Sequence, residues 1–587
     1  MQLKRSRKVP GKIDILDSGD VALLVDFRSY PEPLSKIHQL SELLSSLSPV
    51  WLLDLIPGID SLLVVLKFSD YHYRDTRAIA KVEIEALLKK LLSEKKQETK
   101  SEVVHRIRVC YDPELAPDLL ASAEKCKLTV REFINRHKNS EIRVDILGFM
   151  PGFSYCSGLD PSLNLPRLES PRTTVPAGSV AIAGLQTAIY PQSTPGGWNI
   201  IGRSPEVLFD SSKPRPSLLM AGERVEFIEI DLLEFRKIEA QNLTKLAQSM
   251  PKSKSSSYAI EVISPGLQTT IQGLPRYGFA HLALSAGGPI DQESARLANA
   301  LLGNPDDAAG LEIAGAGTKL LFHEDVWVAW VGARCISQVN GTAIPGNRPV
   351  FLRKGETLSF GPMLQGYRIF LALSGGIDSE FILGGRGSHL SAGIGGKALQ
   401  KGDVLCLPRA QDSCQIPFFK KLKEAQISFP KWSIASPALP GEKIELIKVL
   451  PSIHLDVLSS AEQDALWRTV WTISSQSNRM GMRLESDFKI SSPLTGIASQ
   501  GIWFGTVQLP PSGQPILMMA EHQTTGGYPR LMEMISSERS KLAQLRPGDK
   551  IQFLPITLDE ADQINALYFI EQRKIFDNVR ITLLAKS

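Results

Sequence analysis

Two turns in this 587-residue sequence have residue types suited to holding a ligand through their backbone. Thr194-Pro195-Gly196-Gly197-Trp198 and Thr524-Thr525-Gly526-Gly527-Tyr528 repeat one pattern, Thr-x-Gly-Gly-aromatic. Paired glycines let main-chain amides come close to a bound group because no Cβ stands in the way. Without such a group they are turns and nothing more. The first lies in a stretch from Gly148 to Pro205, dense in glycine and proline yet interleaved with aromatic and β-branched residues. That mixture describes short strands joined by sterically specified turns. His137 ends a helical pattern just before the strand that enters this stretch, which makes it the histidine to test as an acid or base. A lone histidine at a helix end is more often structural. Cys156 lies in the same stretch, but no nucleophile motif surrounds it. The six cysteines (Cys110, Cys126, Cys156, Cys335, Cys406, Cys414) show no CxxC or zinc spacing and read as buried thiols of a reducing, cytoplasmic compartment. Gly384 to Gly387 and Gly393 to Lys397 lack the spacing of a phosphate-binding P-loop.

The elements that would position these turns are largely strands. Gly-acid pairs open a strand at Gly222-Glu223, Gly355-Glu356, Gly402-Asp403 and Gly548-Asp549, each followed by alternating residues. The recurrence predicts a duplicated β-barrel chain, mainly β with α+β parts. Residues 11–100 read as a small α+β unit of order β-α-β-α, a two-layer sandwich of ferredoxin-like type. A barrel is expected over 101–235, with a Thr129/Glu132 capping box opening one of its helices. The polar run Pro251 to Tyr258 marks a linker within 236–258. A first β module spans 259–410, where Asp291 caps a helix, and 409–440 reads as irregular. A second barrel runs from 440 to 556. Thr557 and Glu560 cap a C-terminal helix over 557–587, docked through Leu567, Phe569 and Ile570.

Length alone calls for three or four domains. A net charge of +4, from 66 basic and 62 acidic side chains, leaves no nucleic-acid footprint. No apolar run approaches the ~18–20 residues of a membrane helix. The basic residues Lys4 to Lys8 are not followed by the apolar core of a secretory signal.

Several motifs are more specific. Gly148-Phe-Met-Pro-Gly-Phe-Ser-Tyr155, Gly158-Leu-Asp160, Pro171-Arg172, Val175-Pro-Ala-Gly-Ser179, Tyr190-Pro191 and Pro195-Gly-Gly-Trp198 resemble the B-type component of prokaryotic 5-oxoprolinase. That family is also called allophanate hydrolase subunit 1 or the Kip sensor-kinase inhibitor. Pro265-Gly266, Thr269 to Gln272, Ala298-Asn299, Gly303-Asn304, Asn478 to Leu484 and Gln523 to Pro529 resemble the C-type component, allophanate hydrolase subunit 2. The chain therefore resembles a B–C fusion. The resemblance implies cyclophilin-like β-barrel modules of the kind found in the carboxyltransferase part of urea carboxylase. It also implies ATP-dependent opening of 5-oxoproline to glutamate with a separate A-type subunit, ATP as co-substrate, Mg²⁺, and no biotin on this chain. Two other readings stay open: a biotin-dependent carboxyltransferase component, and a regulatory protein that inhibits a sensor kinase.

Within that resemblance, Arg172, Arg203, Arg276, Arg479 and Arg483 are the cations for phosphate, with His137 beside Arg172, Arg479 and Arg483 as the catalytic set. Gln186, Gln272, Gln508 and Gln523 are the amides for the substrate. Gly196, Gly197, Trp198, Arg276, Thr524, Gly526, Gly527 and Tyr528 complete the expected substrate and ATP contacts. Asp291, Glu312 and Glu521 are the carboxylates for a metal. The two Gly-Gly turns are expected to form halves of one cleft between the first-half barrel and the last. The C-type pattern departs from the family at Gln272 to Arg276, where a carboxylate is missing, and at Glu521-His522-Gln523-Thr524.

Overall fold

The computed structural model describes residues 11–68, 73–93, 103–249, 257–408, 416–435, 439–441, 443–491, 494 and 496–584. The N-terminal unit is a four-stranded antiparallel sheet under two helices, Pro33–Leu47 and Tyr73–Ser93. Its strands Ala22–Asp26 and Ser61–Leu66 are central and buried along their whole length, so they read as unbroken apolar runs. Ile37, Leu40 and Leu44 form the buried stripe of the first helix. Ala22–Asp26, that helix and Leu52–Pro57 make a split β-α-β unit, with Ser61–Leu66 between the two strands. This is the ferredoxin-like arrangement expected, with one change: the outer strand, Asp14–Ser18, comes from an N-terminal hairpin. The order is therefore β-β-α-β-β-α rather than β-α-β-α.

Two seven-stranded barrels close on themselves. The first uses Val104–Cys110, Ile142–Leu147, Ser154–Ser157, Ser179–Ala183, Gln186–Ile189, Asn199–Arg203 and Arg224–Ile230. The second uses Glu445–Pro451, Trp471–Ile473, Gly481–Glu485, Thr506–Gln508, Ile516–Met518, Arg530–Met534 and Lys550–Pro555. Taken in chain order, the strands neighbour one another in the same cyclic sequence in both barrels. In each, the first and last strands pair in parallel. In each, a helix with a Thr or Ser capping box (Val130–Asn139; Ser460–Arg468) lies between the first two strands. Each barrel also carries a two-stranded flap: Arg172–Val175 with Thr194–Gly196, and Gln500–Gly501 with Thr525–Gly526. The Gly-Gly turns thus occupy equivalent places in a true duplication.

Between the barrels a nine-stranded sheet is built on the long antiparallel pair of Val326–Val339 and Thr357–Leu373. Helix Gln292–Leu301, capped by Asp291 through the Ser294 amide, packs its Ala298 and Leu301 beside Trp327 and Phe370. Part of the segment read as a linker is ordered instead. Leu232–Ser249 is a helix whose Phe235 is buried against Cys110 and Ile230, and only 250–256 lie outside the described residues. The stretch read as irregular holds helix Pro417–Glu424, seated by Phe419 on Trp327. Helix Leu558–Leu584 has its Thr557 cap, but it docks through Ala561, Asn565, Val579 and Leu583. Leu567 and Ile570 face solvent, while Phe569 stacks on Tyr73.

Candidate functional site

The segment from Ala520 to Pro529, between two strands of the last barrel, touches three other units. The Ser391 amide of the middle module donates to Glu521 at 2.9 Å. A Cβ on Gly148 of the first barrel would overlap Thr525 Oγ1, so the start of the Gly-Phe-Met-Pro-Gly motif lies against the second Gly-Gly turn. On the remaining side, Gln500, paired with Gly526, donates to Asp60 of the N-terminal sheet at 3.1 Å.

Beneath this turn the last barrel is polar. Gln508 is fully buried and donates to the Tyr528 carbonyl at 3.3 Å. A side chain at 526 would collide with Gln508 Nε2, which explains the glycine. Arg530 pairs with Gln508 across the ladder and is 1% exposed. Its Nη1 donates to the Gly501 carbonyl at 3.0 Å and to Ser18 Oγ at 3.5 Å. Among the described residues, Arg530 Nε and Nη2, Gln508 Oε1, Gln500 Oε1 and Thr524 Oγ1 have no hydrogen-bond partner. Buried polar atoms are nearly always paired, so five unpaired ones close to one turn single it out as the candidate site. Sequence reasoning reached Gln508, Thr524 and the glycines but missed Gln500 and Arg530. The signal for Arg530 was its position directly after the Tyr528-Pro529 end of the motif.

A second polar cluster joins the middle module to the last barrel. Arg479 Nε binds Glu521 Oε1 at 2.5 Å, Nη1 pairs with Glu312, and Nη2 donates to the Gly288 carbonyl at 2.6 Å. Glu312 also accepts from the Ile290 amide at 2.6 Å. Burial alone would lower the Arg479 pKa, but the two carboxylates overcome it and hold the guanidinium above its usual value. Burial likewise opposes ionisation of Glu521, and the Arg479 charge reverses that. Arg479 is thus an ion-pair brace between modules. Glu312 and Glu521 are engaged with it, and Asp291 is taken up by Ser294 and Gln544. The expected metal carboxylates therefore do not converge. Among the described residues, no group of three or more His, Cys, Asp or Glu could hold a metal ion.

Ser285, His389 and Glu521 lie in the order of a hydrolase triad, with Ser285 Oγ 3.0 Å from His389 Nε2 and Glu521 3.9 Å from Nδ1. The tautomer defeats that reading. Nδ1 accepts from the Ala392 amide at 3.3 Å, so the proton sits on Nε2 and is donated to Ser285. Such a histidine caps a turn and cannot take the serine proton. Burial holds its pKa at about 4.

The first barrel differs at its own turn. Phe153, Tyr155, Tyr190 and Trp198 pack edge-to-face there, with Arg167 over the Trp198 ring. The space that Gln508 occupies in the last barrel is taken here by the Tyr190 hydroxyl, 2.5 Å from where a Cβ on Gly196 would stand. His137 is fully buried in the barrel core, stacked on Phe227 and held between Tyr111 (2.8 Å) and Thr187 (3.2 Å). Burial drops its pKa to about 3, so it is a neutral core residue with no route to a substrate. Arg172 pairs with Asp118 at 2.6 Å, and Asp118 also accepts from the Ile200 amide, which ties the flap to its own barrel. Arg203 binds the Ala177 carbonyl at 2.8 Å and Glu239 at 3.4 Å. Gln186 hydrogen-bonds Asp145 and sits on the strand equivalent to Ile516–Met518, so it is no counterpart of Gln508. Cys156 is buried and its thiol is pushed up to about 12, the state of an inert thiol.

Of the remaining expected residues, Arg483 lies exposed on the outer face of Gly481–Glu485, apart from the Arg479 cluster. Gln272 donates to the Ser388 carbonyl at 3.0 Å, and Arg276 is clasped by the Ile382 and Gly387 carbonyls, both inside the middle module. Gln523, Gly527 and Tyr528 are half-buried on the last barrel's turn; Gln523 there lends its carbonyl to His522 at 2.8 Å.

Comparisons with known proteins match this division. Residues 13–219 fit the carboxyltransferase domain, subdomains C and D, and residues 282–555 fit the carboxyltransferase domain, subdomains A and B. The chain is 35% identical over 306 residues to the C-type subunit of 5-oxoprolinase from Escherichia coli K12, covering 93% of that protein and 51% of this one. It is 38% identical over 173 residues to the B-type subunit of 5-oxoprolinase from Escherichia coli O157:H7, covering 76% of that protein and 30% of this one. The crystal structure of TTHA0988 superposes with a TM-score of 0.73 at 28% identity, across 91% of this chain and 99% of that one. The chain belongs to the carboxyltransferase-domain family of the B- and C-type 5-oxoprolinase subunits, with the C/D subdomains preceding the A/B subdomains in one polypeptide.

Proposed function

We propose that this chain is the joined B- and C-type component of a 5-oxoprolinase, opening 5-oxo-L-proline to L-glutamate in the cytoplasm with ATP and a separate A-type subunit. The observation that carries the reading is that one polypeptide spans, in order, most of a B-type subunit and nearly all of a C-type one. A five-membered lactam resists water, and phosphorylation of its oxygen by ATP makes the carbonyl electrophilic. This chain's share is to bind and orient the lactam at the turn from Thr524 to Tyr528 and to keep water out of the buried seam around it. Arg479 does not reach the reacting atoms. It fixes the position of that turn by anchoring Glu521 to the middle module. Among the described residues, the carboxylates do not fit a magnesium site.

Co-expression with an A-type subunit tests the reading. ATP-dependent release of glutamate is expected from the mixture and negligible release from the chain alone. A reconstituted mixture that leaves 5-oxoproline intact would overturn it. No helix among the described residues is long and apolar enough to cross a membrane.

A further inference from the structure

The free hydrogen-bonding atoms of the last barrel have a defined polarity. We propose that Arg530, Gln508 and Thr524 form a recognition pocket for a small carboxylic acid that also carries an amide N–H. The identification of that acid with 5-oxoproline rests on the 5-oxoprolinase reading.

Nε and Nη2 of an arginine lie on one edge of the guanidinium, the edge that takes a carboxylate through two parallel hydrogen bonds. In Arg530 both are buried and unpartnered, while Nη1 on the far side is fixed to Gly501 and Ser18. The guanidinium is therefore anchored from behind, with its carboxylate-binding edge buried and unpartnered among the described residues. Gln508 is oriented in the complementary sense. Its Nε2 is held by the Tyr528 carbonyl, which leaves Oε1 as an acceptor only. Gln500 is set the same way, with Nε2 on Asp60 and Oε1 free. Two unpartnered donors and two unpartnered acceptors, on residues that the strand register gathers at one turn, match a ligand bearing a carboxylate and an N–H. The Thr524 hydroxyl can serve either group.

The acids nearby leave that edge open. Asp26 is forked onto Arg28, Asp60 takes the Gln500 amide, and Glu533 accepts from Ser452 at 3.1 Å. Burial raises both Asp60 and Glu533 above the usual carboxylate range, which weakens their hold on the Arg530 charge. The equivalent place in the first barrel is filled by Tyr190, Phe153 and Trp198. Only one of the two duplicated turns has this pattern.

Isothermal titration of the full chain tests the pocket with three probes: 5-oxo-L-proline, 2-pyrrolidinone (no carboxylate) and cyclopentanecarboxylate (no amide). Wild type is expected to bind 5-oxo-L-proline at least tenfold more tightly than either truncated probe. Arg530→Lys keeps the charge but loses the fork, and should weaken 5-oxo-L-proline at least tenfold while leaving 2-pyrrolidinone unchanged. Gln508→Leu should weaken 5-oxo-L-proline and leave cyclopentanecarboxylate unchanged. The probe series on wild type stands even if a buried variant fails to fold. Equal affinity for all three probes, no binding of any of them, or wild-type affinity in Arg530→Lys would overturn the pocket, since ordered water would then satisfy these atoms. If Arg530→Lys, reconstituted with the A-type subunit, releases glutamate with an unchanged KM, the pocket fails and the 5-oxoprolinase reading survives. Arg530-dependent binding without glutamate release by the reconstituted wild type gives the reverse.

Discussion

The two barrels share strand order, flap, capped helix and Gly-Gly turn, yet they treat the space under that turn in opposite ways. In the first, aromatic rings fill it and its polar groups face partners of their own barrel, as with His137 between Tyr111 and Thr187. In the last, Gln508 and Arg530 line it with hydrogen-bonding capacity left over. Duplication supplied one scaffold twice. Only the second copy has polar side chains under its turn, and the first meets that turn through Gly148.

The largest test of this contrast sets Arg479 against Arg172. Arg479→Ala strands Glu312 and Glu521 in a buried seam and should cost about 3–5 kcal/mol, read as a large fall in Tm. Arg172→Ala removes a partly buried pair from the first barrel and leaves Asp118 bonded to the Ile200 amide, so it should cost less, about 1–2 kcal/mol. Equal losses would end the distinction between seam and flap. A smaller effect sharpens the contact between the barrels. Gly148→Ala should destabilise by about 1–3 kcal/mol through its clash with Thr525, and Thr525→Ala in the same chain should restore much of that. Purely additive losses would mean the two turns do not meet.

The histidines give a pH signature. Burial lowers His137 to about 3 and His389 and His522 to about 4, against an ordinary value near 6.5. Their folded pKa values lie below the unfolded one, so the unfolded chain binds the proton first. Their stabilisation is complete above pH 6.5 and is lost as pH falls toward 4, by at most about 1.4 kcal/mol per pH unit for each. His137→Phe should flatten the acid limb of a Tm–pH curve by one histidine's share. An unchanged slope would contradict the buried, neutral assignment. The smallest effect belongs to Arg483→Ala, exposed on the barrel's outer face, with about 0.5 kcal/mol or less in stability and no change in turnover.

Much of the architecture was legible because it is written in short-range pattern. The repeated Thr-x-Gly-Gly-aromatic turns identified the duplication, and capping boxes at Thr129 and Thr557 placed helices correctly. Of the four Gly-acid strand starts only Gly222-Glu223 and Gly548-Asp549 open barrel strands, the last of each barrel; Gly355-Glu356 and Gly402-Asp403 open strands of the middle sheet, because a glycine turn before a strand serves any sheet. The Leu232–Ser249 helix escaped because its buried anchor, Phe235, answers to Cys110 and Ile230, over 100 residues away in the first case. Side-chain roles were harder for the same reason. Arg479 and Arg483 are four residues apart in sequence, but a turn and a strand send one into a buried ion pair and the other into solvent. Nor does sequence reveal which hydrogen-bonding atoms remain unpaired, and that is what singles out Arg530.

Hydrogen–deuterium exchange of the full chain with and without 5-oxo-L-proline tests the central claim most directly. If the last barrel alone holds the ligand, protection should rise in peptides covering 500–530 and stay unchanged across 171–198. Protection concentrated at the first barrel's Gly196-Gly197-Trp198 turn, with 500–530 unaffected, would contradict the account.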